Sequence, residues 1–128
     1  MDPGPRYVLT STALMDRYEP LEWELRPGDV RVTWAEAEAA ASAGGWRLPS
    51  IAELVGFLGG LPAEAGWSPD VGTVFWSASG SPFAPASWVR AVCFEHGARF
   101  VVVLLEKGER AQRWGVRTPA AGVGSRGA

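Results

Sequence analysis

The 128-residue chain holds one cysteine (Cys93), one histidine (His96), one lysine (Lys107) and no asparagine. Each scarcity removes a class of chemistry. A lone cysteine forms no internal disulfide and no thiolate metal cluster. On a strand, Cys93 is expected to be an inert buried thiol rather than a nucleophile. With His96 beside Gly97 in a turn, no Ser-His-Asp set can be assembled, and His96 reads as a solvated turn residue. Calcium requires six to eight oxygens from clustered carboxylates and amides, whereas Asp70 stands alone, so no metal site is expected. No run of eighteen apolar residues exists, which predicts no membrane insertion. The formal net charge is −2 with no basic run, and no nucleic-acid footprint results. Met1-Asp2-Pro3-Gly4-Pro5 lacks the charged-then-apolar pattern of a signal peptide. On that reading the protein stays in the cytoplasm, or a leader or partner domain is missing from this chain. Eleven of the twelve basic residues are Arg, a skew that fits a GC-rich bacterial genome and carries little about function.

What the chain does contain is two helix signatures in succession. Thr33 precedes Glu36 by three residues, and Ser50 precedes Glu53 by three, each matching a capping box. The first predicted helix, about residues 34–43, is rich in Ala and Glu, and Gly44 is expected to supply the left-handed position that ends it. In the second, Ile51, Leu54, Val55 and Leu58 form one apolar stripe, and Gly59-Gly60 with Pro62 stop it. Both helices are short and need a sheet to cover.

The second half changes period. Residues 73–77 read as a strand, and a loop of small residues at 78–86 carries Phe83 as its one large apolar side chain. Residues 87–94 and 99–105 are strands around a turn at 95–98; a second turn at 106–109 leads to a last strand at 110–117, completing an antiparallel meander. Residues 7–9 and 21–25 are expected as short strands. The length fits one domain over residues 1–117, burying roughly two-thirds of its unfolded surface, with a frayed tail at 118–128.

These pieces in order resemble a known family. Leu21 and Trp23 match an early Leu-x-Trp, and Trp34 and Ala37 match a first helix. Trp46, Arg47, Leu48 and Pro49 with Glu53 and Leu54 match a central motif. Phe75, Trp76 and Ser77 match a Tyr-Trp-Ser strand, and Val116-Arg117 a closing Val-Arg. The chain is similar over about residues 21–117 to the bacterial Lcl C-terminal domain family, domain of unknown function 1566. The resemblance implies an α+β, C-type lectin-like fold: two short helices packed on twisted antiparallel β-sheets, with the termini close together. It also implies an adhesive or ligand-binding role. Many members carry cysteines where Ala41 or Ala43 and Trp114 or Gly115 stand here, so their disulfide is missing and the extracellular reading is weakened. Sugar-binding C-type lectins use Glu-Pro-Asn and Trp-Asn-Asp patterns; here Glu19-Pro20 runs into Leu21, so any binding should be calcium-independent.

Trp34, Trp46 and Trp76 are expected in the core with Leu48 and Pro49. Arg47 is expected to pair with Glu53 or clamp a backbone carbonyl rather than grip an anion, and Arg117 to close the sheet end. The candidate binding surface is the Gly/Pro/Ser loop with Ser79 and Phe83, joined by whichever of Trp88, Arg90, Arg99 and Trp114 face outward. The function expected is a non-enzymatic recognition module without cofactor, its partner a glycan, a protein or a small molecule. The alternative is a structural or assembly domain of a surface or phage particle. A formylglycine-generating-like enzyme requires two cysteines, which this chain cannot supply.

Overall fold

The computed structural model describes residues 6–60, 69–81, 83–84, 86–95 and 99–119. The architecture is α+β, with two helices and two antiparallel sheets. Strands β1 (Tyr7–Leu9), β2 (Leu14–Asp16) and β3 (Leu21–Trp23) precede helices α1 (Trp34–Ala43) and α2 (Ile51–Gly59). Strands β4 (Val74–Gly80), β5 (Trp88–Glu95), β6 (Arg99–Glu106) and β7 (Val116–Arg117) follow. One sheet runs β1-β2-β3-β7 and the other β4-β5-β6.

Both capping boxes form. Thr33 Oγ1 accepts from Glu36 N while Thr33 N donates to Glu36 Oε1, and Ser50 and Glu53 repeat the exchange at α2. The left-handed residue after α1 is Gly45 (φ 84°), not Gly44, whose φ is −92°. One more residue is needed before the chain turns into Trp46, whose N–H reaches back to Ala41 O. On α2 the buried stripe is Leu54, Phe57 and Leu58, with Ile51 half-buried; Val55 is exposed. Phe57 displaces Val55 from the predicted stripe because its ring stacks on Trp23 at 3.9 Å, and burying it removes more apolar surface from water.

The meander is β4-β5-β6 rather than one ending on residues 110–117. That segment leaves β6 and crosses to the other sheet. Ala111 bridges Val32, Gln112 bridges Phe75 in parallel, and Val116 bridges Arg47 and pairs with Trp23. The aromatic and apolar side chains along it, Trp114 above all, drive the crossing by filling the space between the sheets. Strand β2 has no counterpart in the sequence reading. Cys93 is half-buried rather than buried; burial, then Glu95, pushes its thiol pKa up. His96 and the segment after residue 119 lie outside the described residues.

Adjacent strand residues point to opposite faces, and this divides the core. Phe75 and Val92 pack with Leu54, Phe57, Trp23 and Trp114, while Trp76 and Ala91 pack with Ala37, Ala41 and Leu48. The β4 and β5 strands are therefore covered by α2 on one face and α1 on the other, while the apolar run of β6 is only partly covered, with Val102 and Leu104 exposed.

Candidate ligand-binding cleft

The small residues of α2 open a cleft against the first sheet. Ala52 and Gly56 stand one turn apart, and a Cβ built on Gly56 meets nothing within 4 Å. Across from them lie Arg6, Tyr7, Asp16, Glu19, Leu21 and Trp23, with Arg47 and Glu53 at the rim; the cleft holds about 490 Å3. That lies within the usual range for small-molecule sites.

Two ion pairs fix its walls. Arg6 Nε and Nη2 donate to Asp16 Oδ1 and Oδ2 at 2.9 and 2.8 Å, a bidentate pair across the β1–β2 hairpin. The Arg6 guanidinium also lies over the rings of Tyr7 and Tyr18, at 5.2 and 5.3 Å. Asp16 Oδ1 further accepts from the N–H groups of Tyr18 and Glu19, which shapes the turn into β3. Burial pushes the Asp16 carboxyl up, but the hydrogen bonds from Arg6, Tyr18 and Glu19 outweigh it and hold the pKa below the usual carboxylate value. Arg47 Nη1 and Nη2 donate to Glu53 at 2.9 and 3.0 Å, and Nη1 also reaches Leu48 O. Both readings of Arg47 thus hold together. Arg47, working against burial and aided by Ser50, keeps the Glu53 carboxyl below its usual value. Both carboxylates are acceptors only at neutral pH.

Between these pairs the polar inventory is incomplete. Three tryptophans are fully buried among the described residues. Trp76 Nε1 donates to Val32 O and Trp114 Nε1 to Glu24 O; Trp23 Nε1 has no partner. Tyr7 Oη is likewise buried and unpartnered, and burial raises the phenol pKa, so the hydroxyl stays protonated. An unsatisfied buried polar group costs about 1–3 kcal/mol. Both such residues line one cleft.

The remaining candidates do not form a single surface. Ser79 Oγ accepts from Ile51 N at 2.9 Å, which anchors the start of α2 to β4. Phe83 is 89% exposed and Trp88 is 37% exposed. Their segments are tied by Ser81 N donating to Trp88 O and Trp88 N to Ala84 O. Arg90 is half-buried with Nε unpartnered. Arg99 sits at the far end of the β5–β6 hairpin, opposite Glu95. Trp114 is fully buried and offers no binding surface; the need to fill the space between the sheets overrides its candidacy. Trp34 and Trp46 are half-buried, under Lys107 at 4.4 Å and Arg117 at 4.0 Å, and Arg117 also pairs with Glu22. Leu48 and Pro49 are buried as expected.

Sequence reasoning missed Arg6, Tyr7 and Asp16 as site residues. The cluster Thr10-Ser11-Thr12 between two apolar runs is a hairpin signal that would have paired residue 7 with residue 16. Among the described residues no helix is long and apolar enough to cross a membrane, and no group of three or more His, Cys, Asp or Glu is placed to hold a metal ion. No protein-family model matches this chain, and no curated protein matches it.

Proposed function

We propose that this protein is a non-enzymatic, calcium-independent recognition module that takes a small ligand into the cleft between the first sheet and α2. The observation that carries the reading is the pair of buried, unpartnered polar atoms, Tyr7 Oη and Trp23 Nε1, on residues lining one cavity. Both atoms are closed to water in the free protein, so a ligand hydroxyl or carbonyl accepts from the indole and exchanges a hydrogen bond with the phenol only as the cleft wall opens to it. The charges lining the cleft favour a neutral, hydroxyl-bearing molecule such as one sugar ring. Arg6 and Arg47 are each neutralised by a carboxylate, and Glu19 adds a negative charge, so nothing draws in an anion. Asp16 and Glu53 are held ionised and engaged, which argues against a general acid there.

A C-type lectin-like fold of the Lcl C-terminal kind is part of this proposal. Its support is the placement of the motif residues: Trp23 beside Val116 in one sheet, Trp46-Arg47-Leu48-Pro49 between the helices, and Phe75-Trp76-Ser77 on β4.

The test is a thermal-shift panel of monosaccharides, amino acids and hydroxy acids on wild type and Gly56→Leu. The leucine side chain projects into the cleft where a Cβ at Gly56 meets nothing, and a mid-helix Gly is replaced by a better helix former. A ligand at a hundred times its Kd adds about 2.7 kcal/mol of stability to the wild type. The variant is expected to melt no lower than wild type and to show no shift. A shift that survives Gly56→Leu places the ligand elsewhere.

A further inference from the structure

Sheet edges are sites of uncontrolled pairing unless they are short, covered or charged. Three of the four here are managed. Strand β1 has three residues. Strand β7 has two, and Val116 N and O bond with Arg47. Strand β4 is covered by Gln112, whose N donates to Val74 O and whose O accepts from Trp76 N, and by Pro49 O, which accepts from Ala78 N. Strand β6 is the exception. It runs eight residues in unbroken register with β5, has no proline or charge between Arg99 and Glu106, and has no second partner among the described residues.

The hydrogen bonds on either side of β5 show which β6 groups are free. Phe94 N and O bond with Thr73 and Gly72, and Trp88 O accepts from Ser81 N, so these members of β5 face β4. On the other side, Ser87 O accepts from Lys107 N. Alternation along an antiparallel ladder then directs Val89, Ala91 and Cys93 to Leu105, Val103 and Val101. Phe100, Val102 and Leu104 therefore turn their N–H and C=O groups away from β5, to an edge that no other described residue pairs. Two of those side chains, Val102 at 51% and Leu104 at 46%, are also among the most exposed apolar groups of the chain.

We infer that β6 is the self-association edge of this protein: a second copy pairs antiparallel to it about a two-fold axis at Val102, extending the three-stranded sheet across two molecules. The bare edge is self-complementary. With Val102 on the axis, Phe100 faces Leu104 of the partner subunit, and about six main-chain hydrogen bonds form. The exposed Val102 and Leu104 side chains of both copies merge into one apolar strip. Shifting the axis to Val103 would set Arg99 opposite Lys107 of the partner subunit, and like charges directly opposed are destabilising. No β6 residue lines the cleft, so self-association does not depend on the ligand reading.

Light scattering on the full chain across a concentration series tests it. The mass should rise from 13.7 kDa toward twice that value. Val102→Lys, a change at a half-exposed side chain, should hold the monomer mass throughout with unchanged circular dichroism. Should that variant fail to fold, Val102→Cys and Leu104→Cys in a Cys93→Ser background decide the matter with a short bifunctional maleimide. Opposed Cβ atoms of a hydrogen-bonded pair lie about 5.5 Å apart, too far for an unstrained disulfide but within the reagent's span, so Val102→Cys should crosslink to its mate. Leu104→Cys should not, its own mate lying roughly 13 Å away along the strand. A wild type that stays monomeric, a Val102→Lys variant that associates as wild type does, or crosslinking through Leu104→Cys alone would overturn the inference.

Discussion

Gly115 has no room for a side chain. A Cβ there would sit 2.6 Å from Glu24 Oε1 and 2.7 Å from Trp46 Cβ, and Glu24 Oε1 already accepts from Gly115 N and Arg113 Nη1. Gly115→Ala should therefore lower stability by about 1–3 kcal/mol in urea unfolding, an overpacking cost in a well-packed site. Trp76→Ala should cost more, about 3–5 kcal/mol, since it empties a fully buried indole site and removes the indole's hydrogen bond to Val32 O, which keeps only its bond from Ala111 N. Tyr7→Phe separates structure from function. Removing an unpartnered buried hydroxyl should leave the melting temperature unchanged or raised, because no hydrogen bond is lost. Ligand affinity should fall in the same variant; a clear drop in stability would show instead that the hydroxyl is already satisfied. Phe83→Ala, at an 89% exposed side chain, should change neither stability nor cleft binding.

At the scale of elements, α2 depends on its first turn. Glu53 serves the capping box of Ser50 and the ion pair of Arg47 with one carboxylate. Ser50→Ala should cost about 1 kcal/mol, the usual value of a lost N-cap, read as a lower urea midpoint at unchanged slope. The helices were legible from sequence because capping is local: Thr33/Glu36 and Ser50/Glu53 announce it within four residues. The strands read at 73–77, 87–94 and 99–105 were legible from their β-rich, apolar runs, but β4 runs on to Gly80 through residues read as loop. Strand β2 was missed because it is only three residues long, although the Thr10-Ser11-Thr12 cluster marks its hairpin with β1. The path of residues 110–117 was hidden because its partners, from Trp23 to Phe75, are distant in sequence. Alternation marks a strand but not which sheet it joins, and here the burial of Trp114 and Val116 decides that. The cleft was illegible in consequence, because its walls depend on the β1–β2 hairpin.

For the whole molecule, the sign of the pH dependence follows from the engaged carboxylates. Asp16, Glu36 and Glu53 all have folded-state pKa values below their ordinary ones. At acidic pH the unfolded chain thus binds more protons than the folded one, and stability falls as pH falls. The contribution is fully present above the ordinary carboxylate range and is lost from about pH 5 downward, through the folded-state values. Urea unfolding at a series of pH values should show this slope, and Asp16→Asn should flatten it at the cost of lower stability near neutrality. Binding in the cleft is read most directly by a heteronuclear NMR titration of the indole N–H signals with the same monosaccharides, amino acids and hydroxy acids. Trp23, whose buried N–H has no partner and gains one as the cleft wall opens, should move with a binding compound, while Trp76 and Trp114, bonded to Val32 O and Glu24 O, should stay. A Trp23 signal unmoved by every compound, or a response confined to Trp88, would contradict the account.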